Sequence, residues 1–265
     1  MQVIIRKLKK HFIKDHKKVQ IPSNMVNEFT KGFYNDRAAK WHECISYQAD
    51  VSIRKLSINS YLEKIKRNDF NFGYPDITRR IYEIICELVE TENLKIGADV
   101  GCETGAYPAI QIAAGIEICN VFEIRDIEVD NEKVIVQRID LCNNSNLQPK
   151  YDLITCISTI EHIGLGRYSD PLDSFGDLKM MDSIRKIMKP GGFAIIVFPC
   201  HPDYEGHVVF NAHRLYTPYR IAQLFEGFEI VDIPGVKESE LNVGTFGGVP
   251  YIQQIRIIRK RKNLN

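Results

Sequence analysis

Lys95-Ile-Gly-Ala-Asp-Val-Gly-Cys-Glu-Thr-Gly105 decides the fold. A short β-rich run ends in an acid and drops into a turn punctuated by Gly101 and Gly105, where the missing Cβ permits positive φ and close approach of a ligand. Tyr107-Pro-Ala-Ile-Gln-Ile-Ala-Ala114 follows as an expected helix, with its free N-terminal N–H groups pointing back at the turn. Strand, glycine turn and helix in this order predict an α/β sheet with a ligand site at the strand's carboxyl end.

The spacing Gly101-x-x-x-Gly105 disfavours a dinucleotide, whose fingerprint is Gly-x-Gly-x-x-Gly. Glu103 stands where a middle glycine would be expected, and its charge would repel a pyrophosphate. Asn120-Val-Phe-Glu-Ile-Arg125 reads as the second strand, and Glu123 lies about twenty residues past the turn, where a carboxylate can accept from both ribose hydroxyls; Asp126 competes for that role. Lys133-Val-Ile-Val-Gln-Arg-Ile-Asp140 reads as a third strand ending in an acid. Tyr151-Asp-Leu-Ile-Thr-Cys-Ile-Ser158 is an apolar fourth strand running into Thr159-Ile-Glu-His162. Met188-Lys-Pro-Gly-Gly192 then precedes a fifth, Phe193-Ala-Ile-Ile-Val-Phe198.

Asp-x-Gly-x-x-x-Gly with these four downstream features resembles the class I S-adenosylmethionine-dependent methyltransferases, over roughly Tyr74 to Arg259. The resemblance implies a Rossmann-like three-layer α/β sandwich with a mostly parallel seven-stranded sheet and one antiparallel strand. It assigns S-adenosylmethionine to Asp99, Gly101, Cys102, Glu103, Gly105, Glu123, Ile124, Asp140, Leu141 and Ser158, with Asp140 pairing the adenine amino group. Phe228 to Ile233 and Tyr251 to Ile258 are then the closing strands, after a helix over 216–225. The helix Ile77 to Val89, with Ile77, Ile81, Ile84, Ile85 and Leu88 at helical spacing, should pack on the sheet.

Glu161 to Asp177 is a long, polar, glycine-rich segment leaving a central strand, and long loops inside compact domains commonly carry function. Arg167, Tyr168, Asp170, Asp173 and Asp177 offer forked donors, a ring and acceptors for a polyhydroxylated or phosphorylated molecule. His201-Pro-Asp-Tyr-Glu-Gly-His207 and Phe210-Asn-Ala-His-Arg214 are expected at the same rim, adding Asn211 and Arg214 to the substrate set. His162 or His213, with Glu161 alongside, is the candidate base for deprotonating a hydroxyl. In the alternative, Glu161, His162 and His213 hold a divalent metal; small-molecule O-methyltransferases with such a site carry a further glutamate where this chain has Ser158, which disfavours it. A catalytically silent cofactor-binding partner subunit is the rival from another class.

The Thr159 to Tyr168 loop, Gly176-Asp-Leu-Lys179 and Phe210 to Arg214 resemble bacterial methyltransferases of capsule and O-antigen loci. That resemblance implies O-methylation of a sugar, such as a heptose, carried on a nucleotide.

Bulk properties fit this reading. A chain of 265 residues suits one α/β domain (73–265) with an N-terminal helical cap (1–72), and the formal charge of +1 gives no general attraction to nucleic acid. No Asn/Asp-Pro-Pro-Tyr/Phe sequence for an extruded base is present. Cys44, Cys86, Cys102, Cys119, Cys142, Cys156 and Cys200 form no Cys-x-x-Cys pair and read as reduced thiols of a cytoplasmic protein. Met1 to Lys18 carries seven Lys or Arg against one acid with apolar residues at helical spacing. It reads as a solvated surface helix, with weak contact to an acidic membrane surface as the alternative. A homodimer is compatible with all of this.

Overall fold

The computed structural model describes residues 23–43, 54–232, 241–246 and 248–262; the expected basic helix over 1–18 lies outside them. Their elements are α1 (Ser23–Thr30), β1 (Lys40–His42), β2 (Arg54–Leu56), α2 (Ile58–Lys66), α3 (Pro75–Glu92), β3 (Ile96–Val100), α4 (Ala106–Ala113), β4 (Ile118–Glu123), β5 (Ile127–Val129) and β6 (Val134–Arg138). There follow β7 (Tyr151–Ile157), α5 (Gly176–Ile187), β8 (Met188–Cys200), β9 (His207–Val209), β10 (His213–Leu215), α6 (Pro218–Leu224), β11 (Phe228–Ile230), β12 (Leu241–Phe246) and β13 (Val249–Lys260).

The main sheet runs β6-β4-β3-β7-β8-β13-β11, and β12 pairs with β13. The pairs among β6, β4, β3, β7 and β8 are parallel, whereas β13 is antiparallel to both β8 and β11. This is the expected mostly parallel sheet with one reversed strand, extended by β12. The order reverses direction at β3, and its carboxyl end faces the crevice where open α/β sheets hold ligands.

Strand periodicity sorts side chains between two helical layers. Leu153, Ile157, Phe193, Ile195 and Val197 pack under α2, α3 and α4, while Ile154, Cys156, Ala194, Ile196 and Phe198 pack under α1, α5 and α6. Helix α3 buries all five residues of its apolar stripe. Pro75 starts it, and Asn93 ends it in the left-handed conformation, as helix-end chemistry favours.

The described part of the region before residue 73 holds helices α1 and α2 and, beside them, structure that is not helical. It contributes two short strands: β1 joins β9 and β10 in a small sheet, and β2 pairs with β5. Phe29 and Phe33 enter one core layer, and Leu56, Ile58, Ile65, Phe70 and Phe72 enter the other. These residues are therefore woven into the domain. Among the described residues no helix is long and apolar enough to cross a membrane.

Candidate active site

The carboxyl ends of β3, β4, β7 and β8 open on a cavity of about 600 Å³, within the range of small-molecule sites. Its wall includes Gly101, Glu103, Glu123, Ile124, Asp140, Leu141, Ser158, Glu161, His162, Arg167, Tyr168, Asp170 and His213. Residues far apart in sequence thus meet at one place.

The glycine turn has the expected backbone, with φ of +77° at Gly101 and +82° at Gly105. Its glycines serve the protein's own packing as well. A Cβ on Gly101 would lie 2.3 Å from Cγ2 of Thr159, and one on Gly105 would lie 2.9 Å from Cδ1 of Ile58. Asp99 and Cys102 lie beneath the cavity wall, both buried. Thr155 Oγ1 and the Cys102 thiol donate to Asp99, whose pKa burial nonetheless raises to about 7. Gln111 ties the layer below, donating to the carbonyl of Ala98 and to Thr155 Oγ1 at 2.8 Å each.

Glu123 stands at the end of β4, as expected, but it is already engaged. Arg125 donates from Nη2 to Oε2 at 2.6 Å and from Nε to Oε1 at 3.0 Å, and the N–H groups of Ile124 and Arg125 also reach Oε1. The same guanidinium bonds Glu103 Oε2 at 3.1 Å, and Arg54 pairs with Glu103 Oε1 at 2.8 Å. Burial opposes the charge on Arg125, yet Glu123 and Glu103 outweigh it and hold the group protonated. These cations answer the repulsion that Glu103 would otherwise bring to the turn. Asp126 instead pairs with Arg138, outside the cavity. Asp140 lines the cavity and caps the turn after it, accepting from Cys142 N at 2.9 Å.

Ser158, at the end of β7, adopts a φ of +49°, a left-handed conformation costly for a non-glycine residue. Tyr74 and Gln253 hydrogen-bond its hydroxyl. Three residues on, Glu161 is buried, its Oε2 has no hydrogen-bond partner among the described residues, and burial pushes its pKa up to about 8. His162 donates from Nδ1 to the carbonyl of Ala212. That bond assigns the tautomer, because a carbonyl only accepts. Nε2 is then a lone pair, 3.8 Å from Glu161 Oε1. Burial and the Arg167 charge hold His162 neutral, and burial lowers His213 to about 4.

The substrate set divides. Arg167, Tyr168 and Asp170 line the cavity, and the Tyr168 ring carries the guanidinium of Arg125 at 4.7 Å and that of Arg167 at 5.7 Å. Asp170 also organises the loop, accepting from the N–H groups of Gly164, Gly166 and Tyr168. Arg214, Asp177 and Asn211 are buried away from the cavity wall. Arg214 donates to the carbonyls of Ile163 and Asp173 at 2.6 and 3.1 Å, and Asp177 takes a two-pronged bond from Arg220. Their polarity secures the loop from below.

Among the described residues, Glu161, His162 and His213 do not bring three ligand atoms together; His201, Glu205 and His207 do. His201 and His207, expected on the cavity rim, stack on each other beside His42, off its wall. Arg125, Tyr74 and Gln253 also line the cavity, beyond the residues expected from sequence. Arg125 alone leaves a signal, as a cation two residues from a carboxylate past a strand end.

The family model described as "Caenorhabditis protein of unknown function, DUF268" matches residues 105–244, just over half of the chain. No curated protein matches the chain. Among solved structures, the [4+2]-cyclase SpnF superposes with a TM-score of 0.52 at 12% identity, covering 82% of this chain and 100% of that one. The 1,6-didemethyltoxoflavin-N1-methyltransferase of Burkholderia thailandensis, with bound S-adenosylhomocysteine, gives 0.48 at 16% identity over 77% of this chain and 85% of that one. The N-methyltransferase NodS from Bradyrhizobium japonicum WM9 gives 0.46 at 13% over 69% and 96%. The likeness to SpnF shows the fold, which does not by itself fix a reaction.

Proposed function

Because the chain belongs to the DUF268 family, whose description names no reaction, its chemistry rests on the site, and we propose that it is an S-adenosylmethionine-dependent methyltransferase acting on a hydroxyl group. The observation that carries this reading is the neutral His162, fixed by Ala212 with Nε2 free to take a proton at the carboxyl end of β7.

The cofactor's fit can be tested on the donor set. Ile124 and Leu141 give apolar flanks beside Asp140, suited to a purine with an amino group. Glu123 Oε1 is saturated by three donors, but among the described residues Oε2 accepts only from Arg125, so a lone pair remains for a ribose hydroxyl. Gly101 keeps the turn low against the cavity. The residues therefore fit, with Arg125 sharing the ribose carboxylate. When bound, S-adenosylmethionine supplies an electrophilic methyl group.

The protein's own groups do the rest. Arg167 and Tyr168 orient the acceptor from the loop, and orientation is a large part of any such rate. His162 Nε2 takes the hydroxyl proton as the oxygen becomes nucleophilic. Glu161 in its ionised form then stabilises the imidazolium at 3.8 Å.

A nucleotide-linked sugar as acceptor is supported by the cluster of Arg167 and Tyr168 and by the resemblance of their loop to sugar methyltransferases. Incubation with a panel of nucleotide-sugars and S-adenosylmethionine tests it. A mass gain of one methylene on a sugar hydroxyl is the expected result. Methylation confined to amines in a broader panel would overturn the hydroxyl assignment.

A further inference from the structure

Away from the cavity, His201 at the end of β8, Glu205 in the following turn and His207 at the start of β9 each offer a ligand atom, all within 4.8 Å of one another. His207 is 4% exposed, and its buried Nε2 has no hydrogen-bond partner among the described residues, 3.5 Å from Glu205 Oε2. That separation is close to the edge of a tetrahedron whose ligands sit about 2.0–2.1 Å from zinc. The other ring nitrogen, Nδ1, lies 2.8 Å from Nε2 of His42 on β1. A metal-bound histidine characteristically donates its second N–H to an outer acceptor, usually a carboxylate, carbonyl or water, and a neutral His42 nitrogen can accept in the same way.

We propose that His201, Glu205 and His207 form a binding site for a divalent transition-metal ion of the zinc type, with His42 as the outer partner of His207. Two imidazoles and a carboxylate suit zinc, cobalt or nickel and are too nitrogen-rich for magnesium or calcium. Water would complete the set. Lys40 opposes the ion by pairing with Glu205 Oε2, but its side chain is 59% exposed and can turn into solvent.

The site would brace the frame of the cavity. His207 pairs with Leu215 and Val209 with His213 in the β9–β10 ladder, so the same hairpin that begins with His207 delivers the Ala212 carbonyl to His162. The inference stands apart from the methyltransferase reading, since neither the ligands nor the test involves S-adenosylmethionine.

Titration of the metal-free full chain with Co²⁺, followed by visible absorption, is the test. One equivalent should produce the intense d–d bands of a four- or five-coordinate ion, and Zn²⁺ should displace it while raising the melting temperature by about 5 °C at a hundredfold excess over Kd. His207→Ala and the milder, surface-located Glu205→Gln should both abolish the bands or weaken binding beyond the ten- to hundredfold expected of His42→Ala. Lys40→Met should tighten binding several-fold. Absence of bands at millimolar Co²⁺ overturns the proposal. So does a spectrum that survives Glu205→Gln and His201→Ala together but is lost in Glu161→Gln.

Discussion

His162 gives its Nδ1 proton to the carbonyl of Ala212, and this leaves Nε2 3.8 Å from Glu161 Oε1 in a buried pair. Burial resists a charge on either partner: it raises the glutamate to about 8 and holds the histidine well below its ordinary range. Below about pH 8 the pair is an acid beside a neutral imidazole. Above it, Glu161 is ionised and can stabilise a proton arriving on His162.

Methyl transfer should accordingly rise through an apparent pKa of about 8 belonging to the pair. His162→Gln should lower kcat by about 10²- to 10⁴-fold, the usual range for a lost general base, with cofactor affinity nearly unchanged. Glu161→Gln should remove the limb near 8. A pH–rate series on the three proteins checks this.

Stability should show the opposite dependence. A carboxyl whose folded pKa is raised favours folding at low pH, and that contribution is lost as pH rises from the unfolded value near 4.5 through the folded value of about 8. Asp99, raised by burial to about 7, acts in the same direction. A tenfold change in an ionisation constant between the unfolded and folded chain is worth about 1.4 kcal/mol. Glu161→Gln should therefore gain on the wild type by a few kcal/mol between about pH 5 and pH 9. Urea midpoints across that window measure it.

Arg167 and Arg214 should separate cleanly. Arg167 lines the cavity, so Arg167→Ala should raise KM for the acceptor while leaving cofactor affinity and the urea midpoint close to wild type. Arg214 is buried on loop carbonyls, 4.0 Å from Asp177. Arg214→Met should destabilise by about 3–5 kcal/mol, as removal of one partner from a buried charged network does. Steady-state kinetics and denaturation on both variants decide.

Gly101→Ala should cost stability for two reasons that can be divided. A methyl there would press on Thr159, and an alanine at a φ of +77° pays about 1–2 kcal/mol for the left-handed backbone. Adding Thr159→Ala should recover the contact cost and leave the backbone cost. A double-mutant cycle on unfolding free energy separates them.

The glycine turn, the five parallel strands and the stripe of α3 are legible because each rests on a local signal: period two, period 3.6, or a glycine forced to positive φ. Burial is not such a signal. Arg214, Asp177 and Asn211 have the composition of a sugar site, yet they lie beneath the loop, and only packing distinguishes a residue that supports a wall from one that forms it. Arg125 escapes notice for a related reason. Its role depends on a strand end folding back to set guanidinium against Glu123 and Glu103 together. Strands β1 and β2 are three residues long, too short for alternation to register, so the N-terminal region reads as helical.

Titrating the full chain with S-adenosylmethionine by calorimetry, beside parallel titrations with NAD and ATP, tests the central claim most directly. The site predicts saturable binding at one equivalent for S-adenosylmethionine and no comparable heat from the other two. No heat at millimolar S-adenosylmethionine, or an equal response to NAD, would contradict it.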